Sequence, residues 1–448
     1  DTEAIFCALL GFLAERNWRS LAEVDPVELR DWLTRMNDKG ELTVVLSDGS
    51  DVVVYVDKSS TTGAHVWEVF PPYEQLAFGD VDLAVDFARR GVKARKGVVI
   101  ASNPLEPMPG STAAWAKVEP GTLMIVRQGA ILTKLAPGVS DRPAGIRKAN
   151  LRPSKVPAKT LNVRHRTTYK YVTAVERSMH LLRLTPVHDP LQHVLSHRVT
   201  LSVDGQMRSY EDVHGNRVRR VLLETPFNEL IIEAESTVRL LDTDPLDFRP
   251  LRARSTIPLV WMPWHRQILA PFLLPPELPE SELQELTEYA LSFVERNDSD
   301  LLDTLLDLNA SIFKEYEYRQ GATTLHTTAF QVYTDRHGVC QDFTNLFICL
   351  ARLLGVPARY VCGYIHTGPK NPNQRQGEAS HAWAQVYLPE VGWKGFDPTN
   401  GIITQTDHVR VAVGRNYVDA TPTSGTIFVG GGTETLTVDV RCEPVEGL

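Results

Sequence analysis

Between residues 343 and 354 the apolar side chains gather on one helical face. Phe343, Leu346, Phe347, Leu350, Leu353 and Leu354 recur at three- and four-residue spacing, and Gly355 and Pro357 follow where a helix stops. Extending the period backwards places Cys340, just after Gly338, in the first turn. Unpaired backbone N–H groups and the helix macrodipole favour negative charge there, which raises the thiolate fraction of a cysteine. A nucleophile at that point also has a backbone N–H beside its own sulfur, one half of an oxyanion hole. A small buried hydrophobe is nevertheless the commonest fate of a cysteine, so position alone does not decide the role of Cys340. Cys349, in mid-helix, and Cys362, in a strand pattern, read as core.

A thiolate nucleophile needs a histidine within hydrogen-bond reach and a third group to orient that histidine. The chain has 13 histidines, so only context can single one out. His381 opens a strand directly after the long polar stretch 366–379. Asp397 ends the next strand, before Pro398, and Pro389-Glu390-Val391-Gly392 joins the two. Register then decides. With Leu388 opposite Trp393, Asp397 lies on the face away from His381. With Leu388 opposite Gly392, Asp397 stands level with Trp383 and shares a face with His381, a diagonal neighbour at about 7–8 Å. A triad requires the second register or a bulge. Otherwise Asp397 serves as a turn cap bonded to the N–H groups of Thr399 or Asn400.

The remainder of the chain falls into stretches of different character. Residues 1–135 mix patterns. Ala4–Ala14 has the length of a signal-peptide core, but acidic Asp1 and Glu3 precede it and its apolar residues are spaced as in a helix. Leu42–Leu46 and Val52–Val56 read as strands around Asp48-Gly49, Val81–Arg90 as a helix ending at Gly91, and Val98–Ala101 and Leu123–Arg127 as strands. Residues 136–159 carry scattered prolines and basic residues with no apolar period, and read as a linker. Residues 160–241 contain runs of strand character (Leu161–Tyr171, His180–Thr185, Val194–Val203, Arg217–Leu223, Glu229–Leu241), which predicts an antiparallel sandwich or half-barrel. The proline-rich stretch 242–280 reads as irregular. Helices are expected from Glu282, capped by Ser281, and near 300–315, and a β-rich tail closes the chain.

Several function classes are excluded on composition. Net charge is −8, with no basic run that would mark a nucleic-acid or anionic-membrane binder. No apolar stretch of about 18 residues is present. Five widely spaced cysteines form neither a disulfide framework nor a CxxC metal site, and His337-x-x-Cys340 has no partner ligands at zinc spacing. These observations lead us to expect a reducing, cytoplasmic location, with no cofactor and no metal.

The motifs together resemble a known family. His337-Gly338-Val339-Cys340-Gln341-Asp342-Phe343, Gly355-Val356-Pro357-Ala358-Arg359-Tyr360, Ser380-His381-Ala382-Trp383 and Gly392-Trp393-Lys394-Gly395-Phe396-Asp397-Pro398-Thr399-Asn400 resemble, in order, the blocks of the bacterial transglutaminase-like superfamily. Residues 160–241 look like its N-terminal β domain. Gly414-Arg415-Asn416-Tyr417 with Asp419 look like its C-terminal segment, with Asn416 where Asp is more usual. The resemblance implies an α+β fold with a papain-like core over 242–448. It also implies Cys340 as nucleophile, His381 as general base and acid, and Asp397 as the orienting carboxylate. Asp1-Thr2-Glu3-Ala4-Ile5-Phe6, the strands around Asp48-Gly49, Val98–Leu105, Trp115 and Glu119-Pro120-Gly121 resemble the latter half of class II glutamine amidotransferase domains. The N-terminal cysteine on which that family relies is not in this stretch, and Cys7 lies inside a helix pattern.

The expectation is a cysteine enzyme that acts on amide bonds of a protein or peptide substrate through a thioester. Release to water would make it a peptidase or amidase, and release to an amine a transglutaminase. The contrasting class is a non-catalytic interaction scaffold. Nothing in the sequence bears on oligomeric state.

Overall fold

A computed structural model describes residues 2–59, 63–73, 77–79, 84–86, 95–105, 114–138, 155–247, 255–367 and 380–445. The chain forms two compact units: Asp1–Leu151 with Glu280–Ser299, and Arg152–Pro279 with Asp300–Leu448. The fold is mixed α+β with antiparallel sheets. Among the described residues no helix is long and apolar enough to cross a membrane.

In the first unit a four-stranded sheet runs in the order Val44–Ser47, Asp51–Tyr55, Leu123–Arg127, Ala130–Leu135. The side-chain period of two divides it cleanly. Val53, Tyr55, Leu123 and Ile125 face the helices Thr2–Glu15 and Pro26–Asn37, packing on Leu9, Phe12, Leu29 and Leu33. Val54, Val56 and Met124 face the other way, onto Val66 and Val118. Asp25 starts the second helix by accepting from the N–H groups of Val27 and Glu28. The helix expected over Val81–Arg90 is not borne out where it can be seen. Ala84–Asp86 is a strand paired with Ala77–Gly79, while residues 80–83 and 87–94 lie outside the described residues. A strand pairing, which no local periodicity reveals, overrides the helical spacing there.

The β region of the second unit is built on one long strand, Lys159–Leu182. Its first half pairs with Phe227–Leu240 and with Glu434–Pro444. Its second half pairs with Arg217–Leu223 and Thr423–Gly430. Register shifts between Lys170 and Val175 and again after Val175 mark where the ladder breaks and the sheet bends. Outward-facing residues make cross-strand ion pairs such as Arg164–Glu233 and Lys170–Glu229, while Tyr169, Val175, Leu223, Leu230 and Ile232 fill the interior. The run Leu161–Tyr171 and the first three residues of the run His180–Thr185 are thus parts of one bent strand rather than two. The tail strands Thr423–Gly430 and Glu434–Pro444 leave the core and complete this sheet.

The core sheet has five strands in the order Ile402–Ile403, Gly392–Asp397, His381–Leu388, Ala358–Ile365, His408–Gly414. Leu161, Val163, Val238 and Leu240 of the β region pack on its Tyr364, Val409 and Val411. Each such side chain contributes about 1.5–3 kcal/mol on burial, so the two parts share one apolar seam. One helix forms where prolines suggested none, and another where no element was expected. Pro263–Leu273 is helical, with Pro263 at its first position, where a missing N–H costs nothing. Ala329–Asp335 starts with a capping box of Thr328 and Gln331. The helix expected from Glu282 begins at Glu280, so Ser281 lies inside it and is not its cap.

Candidate active site

The helix carrying Cys340 runs Cys340–Leu353, so the cysteine is its first residue, and it is half-buried. Its start is fixed by Asp342. The Asp342 carboxylate accepts from the backbone N–H of Val339 at 2.8 Å and from the Thr323 hydroxyl at 2.6 Å. Gly338 makes room for that carboxylate: a Cβ there would lie 2.8 Å from Asp342 Cβ. Phe343, Leu346, Phe347 and Leu350 bury the expected apolar face, and Phe347 stacks on Phe396 of the Gly392–Asp397 strand. Cys349 and Cys362 are buried, and their apolar surroundings push both thiols up to about 12.

His381 and Asp397 meet. The hairpin pairs Leu388 with Gly392 and Ala384 with Phe396, the register that sets Asp397 level with Trp383 and on the face of His381. His381 Nε2 lies 2.8 Å from Asp397 Oδ2, and both residues are almost wholly buried. The turn-cap alternative is also present: Asp397 Oδ1 accepts from the N–H groups of Thr399 at 3.0 Å and Asn400 at 3.2 Å. The two roles looked exclusive in the sequence and are not, because each uses a different carboxylate oxygen. Burial disfavours a charged His381, but the adjacent Asp397 carboxylate, helped by Cys340, outweighs it and holds the imidazolium well above the usual histidine range. Asp397 is held below the usual carboxylate range: burial opposes this, and His381 and His408 overcome it. His381 Nδ1 has no well-formed hydrogen bond, and the thiol of Cys340 is close enough to act on the ring.

Known proteins match this chain in three places. The transglutaminase-like superfamily matches residues 287–398, and the bacterial transglutaminase-like N-terminal region matches 161–239. Class-II glutamine amidotransferases match 1–147. An uncharacterized protein of Mycobacterium bovis is 32% identical over 304 residues, which cover 64% of this chain and 93% of that protein. The chain belongs to the transglutaminase-like superfamily. A candidate cysteine protease from Cytophaga hutchinsonii, known from its crystal structure, shares the fold of this superfamily member with a TM-score of 0.50 at 21% identity. The superposition covers 66% of this chain and 93% of that one. A Pseudomonas aeruginosa protein named protein-glutamine gamma-glutamyltransferase is 36% identical over 73 residues, 15% of this chain and 11% of that protein.

The transglutaminase-like centre also contains residues that sequence reasoning passed over. His408 Nε2 lies 3.1 Å from Asp397 Oδ2, and Asn400 Nδ2 donates to the same oxygen at 2.7 Å. An ionised carboxylate only accepts, so both imidazoles present Nε2–H to it. Their Nε2 atoms and Asp397 would be the donor set of a metal ion, lying within 4.8 Å of one another. In this arrangement the nitrogens are already committed as hydrogen-bond donors. Gly363, paired with His381, keeps these parts close: a Cβ there would lie 2.0 Å from the Val409 carbonyl oxygen and 2.6 Å from the Trp383 ring. Asn416, which departs from the usual Asp, caps the short helix Tyr417–Ala420 by accepting from the N–H groups of Val418 and Asp419.

Proposed function

We propose that this chain is a cysteine-dependent enzyme acting on amide bonds, with Cys340 as nucleophile, His381 as acid and base, and Asp397 as the orienting carboxylate. The observation that carries the reading is the buried 2.8 Å contact between His381 Nε2 and Asp397 Oδ2, which leaves Nδ1 as the one ring nitrogen free to serve the Cys340 thiol. In the proposed reaction the Cys340 thiol passes its proton to Nδ1 of His381, its sulfur forms a bond to the amide carbon, and the carbonyl electrons move to oxygen. That oxygen is stabilised by backbone N–H at the helix start. Collapse of the intermediate breaks the C–N bond, and Nδ1–H of His381 protonates the departing amine. Water, deprotonated by the now neutral Nδ1, then hydrolyses the thioester. Asp397 stays ionised throughout and holds the ring orientation. On this reading the protein is a peptidase or amidase.

Transfer of the acyl group to an amine is the second reading, favoured by the short match to the Pseudomonas aeruginosa protein named as a gamma-glutamyltransferase. One experiment addresses both. The protein is incubated with casein or a glutamine-containing peptide library, with and without a fluorescent primary amine. New peptide termini, or glutamine converted to glutamate, indicate hydrolysis, and amine incorporation indicates transfer, ammonia being the leaving group from glutamine in both. Cys340→Ala should abolish either product, with turnover falling by about three orders of magnitude or more. Wild-type turnover that survives Cys340→Ala would sink the assignment. A wild type inert on every amide, whose Cys340 is alkylated by iodoacetamide at pH 6 no faster than Cys349 or Cys362, would favour a scaffold.

A further inference from the structure

The bent β sheet of the second unit brings the opposite ends of its strand order, Gln192–Leu201 and Gln206–Glu211, to the walls of one cleft of about 670 Å³. His197 lines it from the first of these strands, and Ser209, Tyr210 and Glu211 from the second. Arg217 and Arg219, on the strand paired with the second, and the segment after the long strand complete it. That volume lies within the range of small-molecule sites, which favour the mouths of curled sheets.

The lining is unbalanced in charge. Arg217 and Arg219 alternate along Arg217–Leu223 and therefore project from the same face. Glu211 is the one carboxylate in the lining, level with Arg217 across the hairpin. In the same domain Arg164 pairs with Glu233, Arg177 with Glu224 and Arg183 with Asp212. Arg219 pairs with no carboxylate among the described residues. Burial alone acts on it, weakening its hold on the proton, and no carboxylate offsets this. Both guanidiniums are close enough to His197 to disfavour its protonation, in addition to the larger effect of burial, so all three groups address the same space. His197 is fixed there by the Thr185 and Ser236 hydroxyls, and stays neutral. A partly buried cation without a counter-charge costs stability. In a chain of net charge −8 the cost is not explained by general surface charge.

We propose that this cleft binds a small oxyanionic ligand, one bearing carboxylate or phosphoryl groups, gripped by Arg217 and Arg219. The guanidinium fork suits the paired oxygens of either group, and the hydroxyls of Ser209 and Tyr210 stand in the same lining to complete the shell.

Isothermal titration of the full chain at constant ionic strength tests this, with inorganic phosphate, tripolyphosphate and glutarate as probes. We expect saturable one-to-one binding of at least one probe, and the probe that binds more tightly tells a phosphoryl ligand from a carboxylate one. Arg219→Gln and Arg217→Gln should each weaken it by about tenfold or more. Arg208→Gln, an exposed arginine of the neighbouring strand outside the lining, should change it by no more than about twofold. Arg219→Gln should also leave the melting temperature unchanged or raised, because the cation it removes is unpaired. Absence of saturable binding by all three probes, or equal losses in Arg208→Gln and the cleft variants, would overturn the proposal. So would a marked fall in melting temperature of Arg219→Gln with binding intact in Arg217→Gln.

Discussion

Asp397 receives three side-chain donors on Oδ2, from His381, His408 and Asn400, and two backbone donors on Oδ1. A carboxylate so surrounded stays ionised, and it anchors His381 rather than exchanging protons with it. Asp397→Asn turns one acceptor oxygen into a donor facing donors, and should cost about 1–3 kcal/mol of stability. It also removes the largest influence that raises His381. The alkaline limb of kcat/KM should therefore move to lower pH, since the imidazolium loses its proton earlier without the carboxylate. An unmoved limb would remove Asp397 from the mechanism. In the proposed mechanism His408 acts through Asp397, as a positioning residue. His408→Phe should lower kcat by about tenfold or more, whereas His408→Gln, which can still donate to Asp397, should recover most of the loss. If the two variants behave alike, His408 is packing only. Cys340, His381 and Asp397 could be singled out in the sequence because helix period, strand order and turn length place them locally. His408 could not. Its strand pairs with Ala358–Ile365, on the far side of the His381 strand from Asp397, and only the sheet order shows that its ring reaches Oδ2.

At the scale of the element, the start of the Cys340 helix rests on one carboxylate. Asp342 is nearly fully buried and receives Val339 N–H and the Thr323 hydroxyl. Asp342→Ala should strand both donors and cost about 1–2 kcal/mol, with a larger proportional loss in kcat than in melting temperature because Cys340 is two residues away. Equal turnover per folded molecule, measured with an active-site titrant, would show that the cap matters for folding alone. The helix itself was legible because its apolar face and its stop signals agree. The helix Pro263–Leu273 was not. Its prolines stand at the first position and at Pro271, and a proline-rich composition hides a helix whose one fully buried apolar residue is Leu269. The hairpin register was legible as a condition rather than an answer, since one residue of slip reverses the face of Asp397.

Across the whole molecule, the least legible feature is the long strand Lys159–Leu182. It pairs with strands from both ends of the second unit, and such non-local pairing leaves no mark in any window of sequence. The same strand carries His165 and His180, both nearly fully buried, and burial pushes each down to about 4. His165 Nδ1 lies 3.1 Å from the Tyr364 hydroxyl of the core sheet, so it belongs to the seam between sheet and core. The sign of the pH dependence follows. The folded imidazoles bind protons less readily than unfolded ones, so the unfolded state takes up protons first as pH falls. Stability is therefore full above the ordinary histidine value of about 6.5 and is lost progressively toward pH 4, by up to about 3 kcal/mol for each fully buried ring. His197 adds in the same direction. We expect the melting temperature to fall steadily between pH 6.5 and 4.5. Hydrogen exchange should report the first opening in peptides from 159–240, because the first unit has no such buried imidazole among its described residues. The double variant His165→Gln, His180→Gln, which cannot take up these protons, should show a flatter profile even if it is less stable at pH 7. A wild-type melting temperature that is level across this range, or a double variant with the same slope, would mean that the buried imidazoles do not control the acid transition.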